Sequence, residues 1–306
     1  MLHLSRFQNS GGALASNHGE EVMMDLAERI QQRATPVVTP DGETKRLLSL
    51  SAVRQLACEW GLSTRQVEIQ ALKACVLPAR YERNQGTIGW EGQIKLLESV
   101  VAIVGCGGLG GWIIEGLARM GVGHLILIDG DTFEEKNLNR QALCTEANLG
   151  QCKAEAARER VARVNSATEV TVYPVMASEE SLREMLAGAD VVVDALDTLP
   201  ARLVLQKVAQ SLGIPVVHGA IGGYVGQVMT IFPEDKGLYA LYGQGDVPER
   251  GVEAQLGNPT ATPMMVAAWQ IQEVIKILLG TGEPLRHRLL FMDAEAGVVE
   301  ILQVEG

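Results

Sequence analysis

The chain carries an unbroken apolar run, Val100–Val104, that ends in Gly105-Cys106-Gly107-Gly108-Leu109-Gly110-Gly111. A continuous apolar run of this length suits a strand buried on both faces. The glycine turn then opens a predicted helix over 109–120. In that context glycines let the backbone approach a phosphate closely, and the helix N-terminus supplies N–H donors and partial positive charge. HLILID (124–129) reads as the next strand and ends in Asp129, about 20 residues on, where a carboxylate accepts from ribose hydroxyls. The glycine turn and Asp129 together say nucleotide, without saying which one.

The alternation continues downstream. Residues 151–164 read as a helix, EVTVYPV (169–175) as a strand, 179–187 as a helix and DVVVDA (190–195) as a strand. Residues 200–212 read as a helix and IPVVHG (214–219) as a strand. Repeated β-α units imply an α/β fold, a doubly wound and mostly parallel Rossmann-like sheet. YVGQVMTIF (224–232), RLLFMD (288–293) and VVEILQV (298–304) suggest an antiparallel extension of that sheet. A Gly/Pro-rich loop is expected over 233–260 and a helix over 262–279.

The first 80 residues read differently, as an N-terminal helical arm ahead of a domain spanning 81–306. Residues 1–17 are polar and suggest a frayed terminus. Residues 18–33 space Val22, Leu26 and Ile30 every four, an amphipathic helix. TPVVTPDGET, with Pro36, Pro40 and Asp41-Gly42, reads as a loop. Residues 48–76 read as two short helices broken at Gly61, with a helix-turn-helix cadence. Arg65 and Lys73 are offset by Glu68 there, so a packing arm is the better reading than a DNA reader.

Composition narrows the partners. The net charge is −11, which repels phosphate backbones and makes nucleic acid a poor partner. No run approaches the roughly 18 apolar residues that span a bilayer, and Met1–Asn17 has no apolar signal core, so a cytoplasmic location is expected. The five cysteines, Cys58, Cys75, Cys106, Cys144 and Cys152, form no CxxC pair and fit a reducing compartment without a structural zinc site.

Two further clusters specify the chemistry. Asp129, Asp131, Asn137 and Arg140 crowd the loop after the second strand, and Lys153 opens the next helix. A dinucleotide carries no γ-phosphate and needs no arginine there. A nucleoside triphosphate has about four negative charges to offset, and the guanidinium fork suits them. Asp194-Ala195-Leu196-Asp197-Thr198 closes the fourth strand, at the sheet edge that faces the ligand crevice. Asp197 could hold Mg²⁺, which takes one or two carboxylates beside phosphate oxygens; Asp197 or Thr198 could instead cap the helix that follows.

These clusters, with Arg80-Tyr81-Glu82-Arg83, Asn137-Leu138-Asn139-Arg140-Gln141 and Gly150-Gln151-Cys152-Lys153, resemble the ThiF/MoeB/HesA family, bacterial relatives of the ubiquitin-activating enzymes. The resemblance spans about residues 80–304. It implies an adenylyltransferase that uses ATP and Mg²⁺ to activate the C-terminal Gly-Gly carboxylate of a ubiquitin-like sulfur carrier, for thiamine, molybdopterin or related biosynthesis. It implies that Gly107, Gly108 and Gly110 contact ATP through the backbone, and that Asp129, with Asp131 beside it, holds the ribose. Asn137, Arg140 and Lys153 would bind the phosphates, and Asp197, with Thr198 beside it, would support the metal. Arg83 would reach the triphosphate of the other subunit of a homodimer. A sulfurtransferase or cysteine desulfurase would be a further partner.

The chain departs from the family in places. Residues 153–306 contain no cysteine, so neither the zinc pairs of many relatives nor a cysteine in the 233–260 loop can be matched. Cys106 reads as a small packed residue, and neither Cys144 nor Cys152 stands out as catalytic. Thr198 replaces a common Asn. Two rival readings follow: an NAD-dependent oxidoreductase, which leaves Arg140, Lys153 and Asp197 unexplained, and a non-catalytic scaffold, which would be expected to lack a phosphate ligand.

Overall fold

The computed structural model describes residues 25–38, 42–243, 248, 251 and 253–305. The stretch 1–17 lies outside them. The chain divides into two compact units, Met1–Gln93 and Ile94–Gly306.

The first unit has its own small core. Helix α1 is described from residue 25 to residue 33, and its Leu26 and Ile30 are fully buried, as the four-residue spacing requires. Strands β1 (Thr35–Val38) and β2 (Thr44–Leu48) pair antiparallel from Thr35↔Leu47 to Val38↔Thr44. This corrects the expected loop over TPVVTPDGET at Thr35–Val38 and Thr44, while Thr39, Pro40 and Asp41 lie outside the described residues. Pro36 misled the reading: it sits on the outer strand of the sheet order β1-β2-β3, where a missing ladder N–H is tolerated. Strand β3 (Leu77–Pro78) runs parallel to β2.

Helices α2 (Leu50–Trp60) and α3 (Thr64–Lys73) flank Gly61, whose φ of 64° ends α2. A Ser63–Gln66 capping box then opens α3. Leu56, Val67 and Ala71 pack with Leu26 and Ile30. Each fully buried Leu or Ile contributes on the order of 1.5–3 kcal/mol. Glu68 on α3 is also fully buried. The Tyr81 hydroxyl donates to its Oε2 at 3.0 Å, and Arg80 Nε lies 3.2 Å from its Oε1. The 3₁₀ turn Ala79–Asn84 is therefore fixed to α3, with exposed Arg83 in its last turn. Helix α4 (Gln85–Glu98) follows, kinked at Gly89.

The second unit alternates as anticipated: β4 (Val100–Val104), α5 (Gly108–Met120), β5 (His124–Ile128), α6 (Lys153–Val164), β6 (Glu169–Tyr173), α7 (Glu179–Met185), β7 (Val191–Asp194), α8 (Leu199–Ser211) and β8 (Val216–Gly222). Then come β9 (Val225–Ile231), α9 (Leu238–Tyr242), α10 (Glu253–Leu256), α11 (Ala261–Leu279), β10 (Arg288–Asp293) and β11 (Val298–Gln303). The sheet order is β11-β10-β9-β8-β7-β4-β5-β6. Strands β8, β7, β4, β5 and β6 are parallel, and β9, β10 and β11 extend the sheet antiparallel. From β4 the chain winds outward to β5 and β6, then crosses back to β7 on the other side. That reversal opens a crevice beyond the C-terminal ends of β4 and β7.

The stretch 233–260, expected as loop throughout, contains α9 and α10. Helix α9 forms because Leu238 is buried and its N–H donates to Gln206 Oε1 at 2.8 Å, which satisfies a donor at the helix start. Among the described residues no helix is long and apolar enough to cross a membrane.

Candidate nucleotide site

The site grows from the end of β4. Gly105 has φ of 99°, and a Cβ there would stand 2.5 Å from the Ala195 carbonyl oxygen. Only glycine lets the ends of β4 and β7 come this close. Helix α5 begins at Gly108 with no side chain capping it. Its first N–H groups thus face the crevice with the positive end of the helix dipole.

Asp129 closes this turn from the end of β5. Its Oδ2 accepts the Cys106 N–H at 2.7 Å and its Oδ1 accepts the Asp131 N–H at 2.8 Å. Burial pushes its carboxyl above the usual carboxylate range, and these two N–H donors pull part of the way back. Cys106 is fully buried, and burial, with Asp129 beside it, pushes its thiol well up. Its side chain is packed inside the turn.

The two cations arrive from separate elements. Lys153, at the start of α6, is buried and its Nζ lies 2.8 Å from Asp131 Oδ2. The stem of Arg140 lies over the start of α5: a Cβ on Gly108 would sit 3.8 Å from its Cγ. Its guanidinium donates to Lys136 O at 3.0 Å and Asn139 Oδ1 at 2.8 Å. Beyond β7, Asp197 is exposed, and its carboxylate has no hydrogen-bond or ion-pair partner among the described residues.

A cavity of about 340 Å³ lies between these groups, lined by Gly105, Gly107, Gly108, Asp129, Asp131, Arg140, Lys153 and Asp197. That is the size range of small-ligand sites, about 300–1,000 Å³. Four expected residues, Asn137, Gly110, Thr198 and Arg83, are not on its wall. Asn137 is buried and its Oδ1 accepts the Glu134 N–H at 2.9 Å, so it shapes the loop that carries Arg140. Gly110 lies behind the turn, where a Cβ would stand 1.8 Å from Gly105 O. Thr198 is the N-cap residue of α8, without a side-chain cap bond. Arg83 belongs to the other compact unit.

The cavity also has wall residues that the sequence reading did not single out. Gln141 is buried, stands beside Gly107, and its Oε1 has no partner among the described residues. Arg202, one turn into α8, donates to Leu196 O at 2.6 Å, and its buried Nε has no hydrogen-bond partner among the described residues. Asn258 borders both this cavity and a second one of about 480 Å³, lined by Asn139, Gly222, Gly223, Tyr224, Asp293 and Glu295. A cation one turn into the helix after an acidic turn was a usable signal for Arg202. Gln141 stood inside a noted motif, and nothing local marks Asn258.

The ThiF family model matches residues 81–305. The SAMP-activating enzyme E1 of Haloferax volcanii is 41% identical over 223 residues, which cover 70% of this chain and 81% of that protein. The sulfur carrier protein adenylyltransferase of Thermus thermophilus is 36% identical over 224 residues, covering 70% and 83%. Among solved structures, E. coli MccB with MccA-N7isoAsn is similar in fold, with a TM-score of 0.64 and 23% identity over 73% of this chain and 72% of that one.

Proposed function

The chain belongs to the ThiF family, and from that premise we propose that it adenylylates the C-terminal carboxylate of a small ubiquitin-like Gly-Gly sulfur carrier with ATP, releasing pyrophosphate. One observation carries the reading: an uncapped helix N-terminus, Arg140, Lys153 and an unengaged Asp197 converge on a single cavity at the end of β4 and β7. The wall fits a triphosphate. It offers Arg140 and Lys153, with Arg202 across from them on α8, backbone donors, and a glycine at 108 whose missing side chain leaves room beside Arg140. Asp129, with both oxygens already oriented by backbone N–H groups, fits the ribose. Asp197 fits Mg²⁺, which takes a single carboxylate plus phosphate oxygens and water. Bound there, Mg²⁺ would offset charge on the phosphates.

The carrier's carboxylate is ionised near pH 7, so no general base is required. A carboxylate oxygen forms a bond to the α-phosphorus as the bond to the bridging oxygen of the β-phosphate breaks, and pyrophosphate leaves. Arg140 and Lys153 stabilise the charge that develops on the phosphates. The second cavity, which shares Asn258 with the first, gives the carrier tail its approach. In this reading the catalytic domain starts at residue 81, and Arg83 serves the triphosphate of a neighbouring subunit.

ATP–pyrophosphate exchange against a panel of Gly-Gly carriers tests the proposal. Exchange should appear with one carrier and collapse in Arg140→Ala and Asp197→Ala. Tight NADH binding without exchange against any carrier would overturn it.

A further inference from the structure

Asp194 is almost completely buried at the end of β7, three residues before Asp197. Its register partner on β8 is His218, which is fully buried. His218 Nδ1 lies 2.7 Å from Asp194 Oδ2. The other carboxylate oxygen, Oδ1, accepts the Leu196 N–H at 3.0 Å. Arg202 donates to the Leu196 carbonyl at 2.6 Å, and its Nε stands 4.0 Å from Asp194 Oδ2. Both backbone polar groups of Leu196, the residue before Asp197, are thus clamped by one buried carboxylate and one guanidinium. Gln270 Nε2 adds a bond to the Asp194 carbonyl at 2.9 Å.

The hydrogen-bond directions are fixed by this arrangement. Asp194 is ionised beside Arg202, so His218 donates from Nδ1 and leaves the Nε2 lone pair to accept. Gln227 Nε2 lies 3.3 Å from that nitrogen and 3.0 Å from the Tyr242 hydroxyl. One amide group therefore ties the histidine to α9. A second connection runs along α8. Arg202, Gln206 and Gln210 recur every four residues and so share one face of the helix. Arg202 holds Leu196, Gln206 holds the N–H of Leu238 and the carbonyl of Lys236, and Gln210 holds the carbonyl of Asp235.

A buried Asp–His pair often does no more than satisfy a core. Here its bonds continue to the peptide unit next to Asp197 and to a helix of the 233–260 stretch. We infer that His218 is a positioning residue: through Asp194 it orients the turn that presents Asp197 to the nucleotide, and through Gln227 it ties that turn to Tyr242 on α9. This rests on the reading of Asp197 as the Mg²⁺ carboxylate. Partners one layer behind a metal ligand are typically worth about 10–100-fold in metal affinity or activity.

Two substitutions separate the two nitrogens. In His218→Asn the amide stands near the Nδ1 position and can still donate to Asp194. In His218→Gln it reaches the Nε2 position and abandons Asp194. Binding of α,β-methylene ATP, which cannot release pyrophosphate, is measured by calorimetry across a Mg²⁺ titration, alongside thermal unfolding. His218→Gln should need about 10–100-fold more Mg²⁺ for half-maximal binding, while metal-free affinity stays at the wild-type value. His218→Asn, which keeps the Asp194 bond but not the Gln227 one, should recover part of that loss. Tyr242→Phe removes one hydroxyl, should shift the Mg²⁺ requirement in the same direction, and carries the test if His218→Gln fails to fold. Asp197→Ala is the control. If its Mg²⁺ dependence equals wild type, the metal assignment falls and the clamp with it. If Asp197→Ala shifts but His218→Gln or its stand-in does not, or Asn and Gln lose equally, the clamp alone is overturned.

Discussion

The substitution Gly110→Ala tests how closely α5 is seated on the end of β4. A Cβ at position 110 would lie 1.8 Å from Gly105 O and 2.8 Å from its carbonyl carbon, where contacts under 3.0 Å are essentially never found. Both partners are backbone, so no side chain can swing aside. The first turn of α5 would have to withdraw by more than about 1 Å. Overpacking of this kind costs about 1–3 kcal/mol, and backbone displacement puts this case at the upper end. At about 2–4 °C per kcal/mol for a unit of this size, 3 kcal/mol lowers the unfolding midpoint by roughly 6–12 °C. Gly108→Ala is the paired control. Its Cβ would meet nothing nearer than Arg140 at 3.8 Å, so stability should change by less than about 0.5 kcal/mol. That methyl nevertheless enters the cavity beside Arg140, so nucleotide affinity should fall. Thermal unfolding and nucleotide titration on both variants read the two effects separately. A Gly110→Ala midpoint equal to wild type, or a Gly108→Ala loss as large as that of Gly110→Ala, would refute the packing argument.

Two other outcomes are expected. If Arg83 acts on the partner subunit's nucleotide, Arg83→Ala and Arg140→Ala are each inactive alone, and subunit exchange restores one intact site in each mixed dimer, about a quarter of all sites; formed mixed dimers without recovery refute the assignment. The second concerns pH. Burial holds His218 below its ordinary value of 6.5, against the opposing pull of Asp194. The unfolded chain takes up the proton first, so stability is complete above about pH 6.5 and declines below it by up to about 1.4 kcal/mol per pH unit. Denaturant titrations of wild type and His218→Asn between pH 5 and 8 should show that slope only in wild type.

The parallel half of the fold was legible because its signals are local. Val100–Val104 and residues 125–128 are apolar along their length, as strands covered on both faces must be, and the register Val101↔Leu125 joins them directly. The hairpin of β1 and β2 was not legible, because Pro36 and Asp41-Gly42 argue for a loop unless the reader knows that β1 is an edge. Helix α9 was hidden for a related reason. Five residues give no periodicity, and its N-terminal donor is satisfied by Gln206, 32 positions earlier in the chain.

The candidate site divides along the same line. The glycine turn, Asp129, Lys153 and Asp197 could be named from sequence because each sits next to the strand end or helix start that places it, and Arg140 because it stands in a polar loop that leaves β5. Asn137 shows the limit of that reasoning. Its type and position suit a phosphate ligand, but a short polar side chain in a turn finds a backbone N–H first, here that of Glu134. The Asp194–His218 pair shows the converse. The sequence places Asp194 at the crevice edge but does not pair it with His218, which sits in an apolar strand 24 residues on. Only the sheet register makes them neighbours, and only then does the ionised Asp194, held down by Arg202 and His218 against the upward push of burial, become an anchor for Leu196. In this chain Asp129, Lys153 and Asp197 follow from local pattern, whereas Asn258 on the same wall and the Asp194–His218 pair behind Asp197 follow from how distant elements are ordered.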